Sequence, residues 1–215
     1  MKRINKFFER TLPVPIWIRL LKFKYKFVGR PLVQGETSKA KSRRIKEGFF
    51  EKYCQGHGLD IGYGGDVLCL NCKGWDFEHG DAQHMAGMKD SEFDFVYSSH
   101  VLEHLHDPVS ALKNWWRVVK PGGYLILYIP HRDLYEKKAS LPSRWNSDHK
   151  HFFLLERDDP PDTIGIMPLV RHYLKDIQVI YAKMCDEGHT IDDPKIHSDG
   201  EYSIEVVILK QRDAS

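Results

Sequence analysis

The run Leu59-Asp60-Ile61-Gly62-Tyr63-Gly64-Gly65-Asp66 decides how the rest of the chain is read. It starts as a short buried strand and breaks at once into a glycine-rich turn. Glycine lets the backbone bend sharply and approach a ligand that a side chain would hold off. Such a turn alone serves a nucleotide, a dinucleotide or no ligand at all. Two acids downstream narrow the choice. Asp76 closes the next strand-like stretch, Gly74-Trp75-Asp76-Phe77, where a carboxylate can accept hydrogen bonds from both ribose hydroxyls. Gly80-Asp81-Ala82 follows, with a carboxylate placed to accept from an adenine amino group. No phosphate-binding lysine follows the turn, which argues against a P-loop.

Outward from this run, strands alternate with helices. Phe93-Asp94-Phe95-Val96-Tyr97-Ser98 reads as a strand buried on both faces. Asp107-Pro108 opens a helix, with Asp at the N-cap and Pro at the first helical position. Val109, Leu112, Trp115, Trp116 and Val119 recur on it at helical spacing, and the tryptophans read as packing. Lys120-Pro121-Gly122-Gly123 stops it, and residues 124–129 form a long apolar strand. Residues 130–165 are polar, rich in His and Pro, and without periodicity; an irregular stretch of that length is usually functional. Residues 166–174 suit a helix, and 177–184 with 202–209 suit two antiparallel strands. Ahead of the turn, 43–55 suits an amphipathic helix carrying Ile45, Phe49, Phe50 and Tyr53. The pattern predicts an α/β protein with a mostly parallel sheet and a reversed edge strand.

The ordered motifs resemble class I S-adenosylmethionine-dependent methyltransferases, in particular their small type 11 branch. The resemblance rests on Asp60-x-Gly62-x-Gly64, Asp76, Gly80-Asp81-Ala82, Phe93-Asp94-Phe95-Val96, His100-Val101-Leu102-Glu103-His104-Leu105, Asp107-Pro108 and Arg117-Val118-Val119-Lys120-Pro121-Gly122-Gly123. It covers residues 56–131. It implies a Rossmann-like sheet with helices on both faces and an antiparallel C-terminal strand. It also implies S-adenosylmethionine as cofactor, held by Asp60, Gly62, Tyr63, Gly64, Gly65, Asp76, Phe77, Asp81, Ala82 and Ser98, with Ser99 beside the last and His84 or Met85 covering the ring. Two departures stand out. Asp66 occupies the place of the usual third glycine, and ten residues separate Asp66 from Asp76, so the intervening helix must be very short. The ribose acid is then Asp76 or Glu78. Glu103 and His104 either orient the loop over the cofactor or take part in the chemistry.

The 215 residues carry a net charge of +2, but residues 1–50 hold 14 Lys and Arg against three acids, and the remainder is acidic. The chain divides into a basic aromatic arm, 1–42, and a methyltransferase domain, 43–215, with an acceptor-side insert at about 130–165. Lys22, Lys24 and Lys26 alternate with Phe23, Tyr25 and Phe27. The arm either packs over the active-site mouth or rests peripherally on an anionic membrane. No nucleic-acid partner is expected, since the body is acidic and shows no RNA-binding motif. Leu12 to Ile18 is broken by two prolines and lacks a small-residue cleavage site, which reads as no signal peptide and a cytoplasmic protein, peripheral at the inner membrane surface if the arm binds lipid. Cys69-x-x-Cys72 with His79 and His84 is spaced too tightly for a zinc finger, so no metal is expected.

Methyl transfer to a hydroxyl benefits from a base, and histidine suits neutral pH. His100, His131, His149 and His151 are the candidates. Arg132 and Arg144 could grip phosphate or carboxylate, and Tyr135 and Trp145 could stack on a sugar. These residues predict O-methylation of a phosphorylated or nucleotide-linked sugar, or of a surface-glycan intermediate in carbohydrate biosynthesis. The alternatives are N-methylation of a small amine and a non-catalytic binding or scaffold protein.

Overall fold

A computed structural model describes residues 35–212. Residues 1–34, most of the basic arm, lie outside the described residues. Three short helices come first: α1 (Glu36–Lys39), α2 (Lys41–Lys46) and α3 (Phe49–Tyr53). Eight strands follow: β1 (Gly58–Ile61), β2 (Cys72–Trp75), β3 (Phe93–Ser99), β4 (Val119–Pro130), β5 (Phe152–Leu154), β6 (Thr163–Gly165), β7 (Ile177–Cys185) and β8 (Ser203–Lys210). Between them lie α4 (Pro108–Val118), α5 (Arg132–Tyr135) and α6 (Ile166–Tyr173).

The main sheet runs in the order β2-β1-β3-β4-β8-β7, and β5 with β6 forms a small parallel pair. The links among β2, β1, β3 and β4 are parallel, and β8 is antiparallel to both β4 and β7. The chain leaves β1 in one direction for β2 and returns on its other side as β3. That reversal opens a crevice at the carboxyl ends of β1 and β3, where open α/β sheets bind ligands.

Each sheet face has its own core. On one side Leu59, Ile61, Val96, Leu125 and Leu127 pack against Leu112 and Trp115 of α4 and Met167 and Val170 of α6. On the other, Phe95, Tyr97, Ile126 and Tyr128 meet Ala40 and Phe49. The helix opening at Asp107-Pro108 forms as expected, the Asp107 carboxylate accepting from the Ser110 N–H at 3.0 Å.

Three expectations need correcting. The stretch 130–165 is not irregular throughout, because it contains α5, β5 and β6. The helix over 43–55 is two helices, split at Gly48 with φ +63°. Its buried side is also different: Ile45 is exposed, while Arg43 and Arg44 are buried. The border at residue 42 therefore falls inside α2, and 36–42 pack on the body. The reason is negative charge on β8 and just before it. Arg44 donates from Nε to Glu205 at 2.7 Å and from Nη1 to the Tyr97 hydroxyl at 3.0 Å, with Phe49 and Tyr128 around the guanidinium. Arg43 donates to both Glu201 and Glu205.

Asp66 completes the attachment. Its carboxylate accepts from the backbone N–H of Gly35 and of Ser38, each at 2.9 Å, and from the Ser38 hydroxyl. The residue that replaces the third glycine thus binds the start of α1. No helix lies between β1 and β2, and α1–α3 cover that side of the sheet.

Burial raises the Glu205 carboxyl, but the charge of Arg44 and the hydrogen bonds of Arg43 prevail and hold it at about 2. Its folded value lies below its unfolded value, so this stabilisation is present above about pH 4.5 and is lost as pH falls toward 2. Glu205→Gln should destabilise the fold by about 3–5 kcal/mol at neutral pH, because it strands buried guanidinium charge. Urea unfolding against pH should show the variant losing the acid-side slope that Glu205 contributes.

Candidate active site

The first described wall of the crevice is the glycine turn. Gly62, Gly64 and Gly65 take φ of +71°, +53° and +91°, the left-handed region where side chains are strained. A Cβ on Gly62 would strike Val101, whereas one on Gly64 would meet almost nothing. The turn is thus closed behind and open in front. Asp60 sits beneath it, fully buried, its Oδ2 accepting from the Leu68 N–H at 2.7 Å. Burial drives this carboxyl well above the usual range.

Asp76, just past β2, turns back across the strand end. Its Oδ2 accepts from the Gly64 N–H at 3.1 Å and its Oδ1 from the Phe77 N–H at 2.9 Å. Asp81 forms a tight turn through the Gln83 N–H, at 2.6 Å. Helix α4 clamps this loop: Trp115 Nε1 donates to Ala82 O at 2.7 Å, and Asn114 Nδ2 donates to Gln83 O at 3.0 Å.

These pieces enclose a cleft of about 590 Å³. Gly62, Trp75, Asp76, Phe77, Asp81, Ala82 and Gln83 line one end, and His100, Val101, His104, Leu105, His106 and Asp148 line the other. Phe77 is 90% exposed at its edge, a bare aromatic face beside Asp76. Of the expected cofactor residues, Gly62, Asp76, Phe77, Asp81 and Ala82 come together here. Asp60, Gly64 and Gly65 shape the turn from behind. Tyr63 lies over Gly74, and Ser98 and Ser99 are buried at the end of β3; none of the three lines the cleft. Glu78 is exposed and does not line the cleft, whereas Asp76 does. Neither His84 nor Met85 covers the cleft: His84 is exposed near Asp81, and Met85 is buried in the core.

On the acceptor side, His100 alone of the four expected bases lines the cleft. It sits at φ +51°, with Nε2 2.8 Å from Ser203 Oγ. Burial lowers its pKa to about 4, so it is neutral at pH 7. His131 and His151 lie outside the cleft, their pKa values also lowered by burial. His149 is buried behind His104, with Nδ1 2.8 Å from Glu136 Oε1 and its ring stacked on Tyr135. Tyr135 therefore packs within the protein and does not face the cleft.

The two arginines expected to grip phosphate do not reach the cleft. Arg132 is buried and bonded to Asp133 at 2.8 Å and Asp159 at 2.6 Å. Arg144 donates to the Pro194 carbonyl and lies over Trp145, whose ring packs edge-on against His197. Their cationic groups satisfy carboxylates and a carbonyl of the protein itself.

The residues that sequence reasoning left unassigned are Gln83, His106 and Asp148, together with the arrangement around Glu103. Glu103 is fully buried and neither carboxylate oxygen has a hydrogen-bond partner. Burial raises its pKa to about 8. His104 Nε2 lies 3.8 Å and His149 Nε2 3.9 Å from its Oε1. His104 was noted beside Glu103, but nothing in the sequence ties it to Asp148, 44 residues on, whose Oδ2 lies 3.0 Å from its Nδ1.

A six-stranded sheet of this order, with a glycine turn, a strand-end acid and a cleft at the switch point, defines the class I S-adenosylmethionine-dependent methyltransferase fold. Residues 45–127 match the family described as "Methyltransferase domain", the type 11 branch. Over those residues the chain is similar to a class I S-adenosylmethionine-dependent methyltransferase domain of that branch, a family whose cofactor is S-adenosylmethionine. An uncharacterized methyltransferase of Schizosaccharomyces pombe is 34% identical over 88 residues, which are 40% of this chain. The match covers only 28% of that relative's length. A methyltransferase from Thermotoga maritima, described as a possible histamine N-methyltransferase, superimposes with a TM-score of 0.50 at 17% identity, covering 91% of this chain and 99% of that one. One from Archaeoglobus fulgidus gives 0.50 at 16%, covering 86% and 99%. At these identities the solved structures speak to fold alone.

The open-fronted turn and the strand-end carboxylate fit the nucleoside. Asp76→Ala should weaken S-adenosylhomocysteine binding about 10–100-fold, the value of hydrogen bonds to a charged group, and Glu78→Ala should leave it unchanged. Calorimetric titration of both variants checks this.

Proposed function

We propose that the protein methylates a hydroxyl oxygen of a small, polyhydroxylated acceptor of the sugar class. The carrying observation is that one continuous cleft joins the nucleoside end, at Gly62, Asp76 and Asp81, to a wall of His100, His104 and Asp148. When bound, S-adenosylmethionine supplies an electrophilic methyl group. Asp76 and the Asp81–Ala82 loop hold the nucleoside, and the glycine turn lets the backbone approach it. Val101 and Leu105 give the cleft an apolar wall that limits water there. The imidazole and carboxylate wall offers hydrogen-bond partners that orient a hydroxyl for in-line attack.

The phosphorylated or nucleotide-linked form of this acceptor loses the support of Arg132 and Arg144, because both guanidinium groups are bonded elsewhere. Among the described residues no Lys or Arg lines the cleft, while Asp76, Asp81 and Asp148 do. That acidic lining also favours a second reading, N-methylation of a small cationic amine.

Incubation with isotopically labelled S-adenosylmethionine and pools of sugars and amines, followed by mass spectrometry, separates the readings. A labelled methyl ether is expected. A labelled amine would replace this proposal by the second reading, and cofactor binding without any product would leave a binding protein. We further propose a cytoplasmic location with the basic segment against anionic lipid. Deleting residues 1–30 should then abolish sedimentation with anionic vesicles; unchanged sedimentation would refute it.

A further inference from the structure

Among the described residues, one cluster outside the nucleoside end is built for a ligand that neither the fold nor the family assigns. Glu103, His104 and His149 each offer one atom, and the three lie within 4.8 Å of one another. Each histidine has its other nitrogen on a carboxylate: His104 Nδ1 on Asp148 at 3.0 Å, and His149 Nδ1 on Glu136 at 2.8 Å. Glu136 is itself fixed by the Ser143 hydroxyl at 2.7 and 2.8 Å and by the Arg144 N–H at 3.2 Å.

A carboxylate beside Nδ1 keeps the proton there and turns the Nε2 lone pair the other way. Both Nε2 atoms then face Glu103 Oε1, at 3.8 and 3.9 Å. Three ligand atoms converge there, His100 Nδ1 lies 3.6 Å from the same Oε1, and both Glu103 oxygens lack a hydrogen-bond partner although fully buried. Buried polar atoms in that state call for an ion or water. Carboxylate-backed histidines around a central carboxylate are the arrangement of a metal site.

We propose that Glu103, His104 and His149 bind a divalent first-row transition ion, with zinc as its simplest occupant. Two imidazoles and one carboxylate favour such an ion over magnesium or calcium, which prefer oxygen ligands. Zinc stands about 2.0–2.1 Å from such ligands, so the three atoms close in by about 0.5–1.4 Å on binding. His104 lines the cleft, and the remaining coordination position opens there. Three protein ligands and one open position are the catalytic pattern for this ion. The open position would take an oxygen of the acceptor; that role rests on the methyltransferase reading, whereas the ion site does not.

The test titrates Zn²⁺ by calorimetry into the full chain freed of metal by chelation, with Co²⁺ as a spectroscopic substitute. One equivalent should bind, and the Co²⁺ spectrum should lack the intense near-ultraviolet band of thiolate ligation. His104→Gln should abolish that binding, and Asp148→Asn, at an exposed position, should weaken it about 10–100-fold. The double replacement Cys69→Ser and Cys72→Ser should leave it unchanged. No binding at millimolar ion, a thiolate band, or binding that survives His104→Gln would each overturn the proposal. S-adenosylhomocysteine titrated into the same samples reports on the nucleoside end. Nucleoside binding without ion binding discards the metal site alone, and the reverse discards the methyltransferase reading alone.

Discussion

The link between β1 and β2 is too short to hold a helix, and the architecture follows from that constraint. A sheet face left bare there would expose Phe95, Tyr97 and Tyr128. The segment before β1 covers it instead, and a segment that folds back over a sheet needs an anchor. Arg44 supplies one by lying fully buried against Glu205 and the aromatic rings. Two charges removed from water are tolerated only when well paired, and here the guanidinium meets a carboxylate, a hydroxyl and ring faces together. Asp66 supplies the second anchor, at the start of α1. The residue that looks like a defect in the glycine turn is what joins the turn to its cover.

That attachment bears on the cofactor end. The turn is shaped from below by Asp60, from the side by Asp76, and beyond Gly65 by Asp66. Each carboxylate accepts backbone N–H groups, so three acids hold a loop that its glycines leave free to bend. From the far side, α4 holds Ala82 and Gln83 through Trp115 and Asn114. The cleft therefore lies between two rigid supports, and its exposed element is Phe77.

Much of the cofactor end was legible from residues alone. Gly62, Asp76, Phe77, Asp81 and Ala82 were read from one local stretch and meet at one cleft, because strand ends and turns bring near neighbours in sequence together. The acceptor end was not legible. His149 and His151 are alike in sequence context, yet one is stacked behind His104 and the other lies elsewhere. Arg132 looked free for a phosphate, but Asp159 reaches it from 27 residues away. The burial of Arg43 and Arg44 was not legible either, since their acidic partners lie over 150 residues on.

The amino-acid sequence by itself determined the α/β class, the strand that ends in the turn, the acids that gather at the strand ends and the methyltransferase resemblance. Those depend on periodicity, on glycine conformation and on short-range spacing, which the chain carries locally. The tertiary structure decided which charges are free and which are already paired, which of the expected bases meets the cleft, and that Glu103 sits without a hydrogen-bond partner among the imidazoles of His100, His104 and His149. Those depend on contacts between distant segments, where burial removes competing water and the nearest opposite charge or lone pair sets the chemistry.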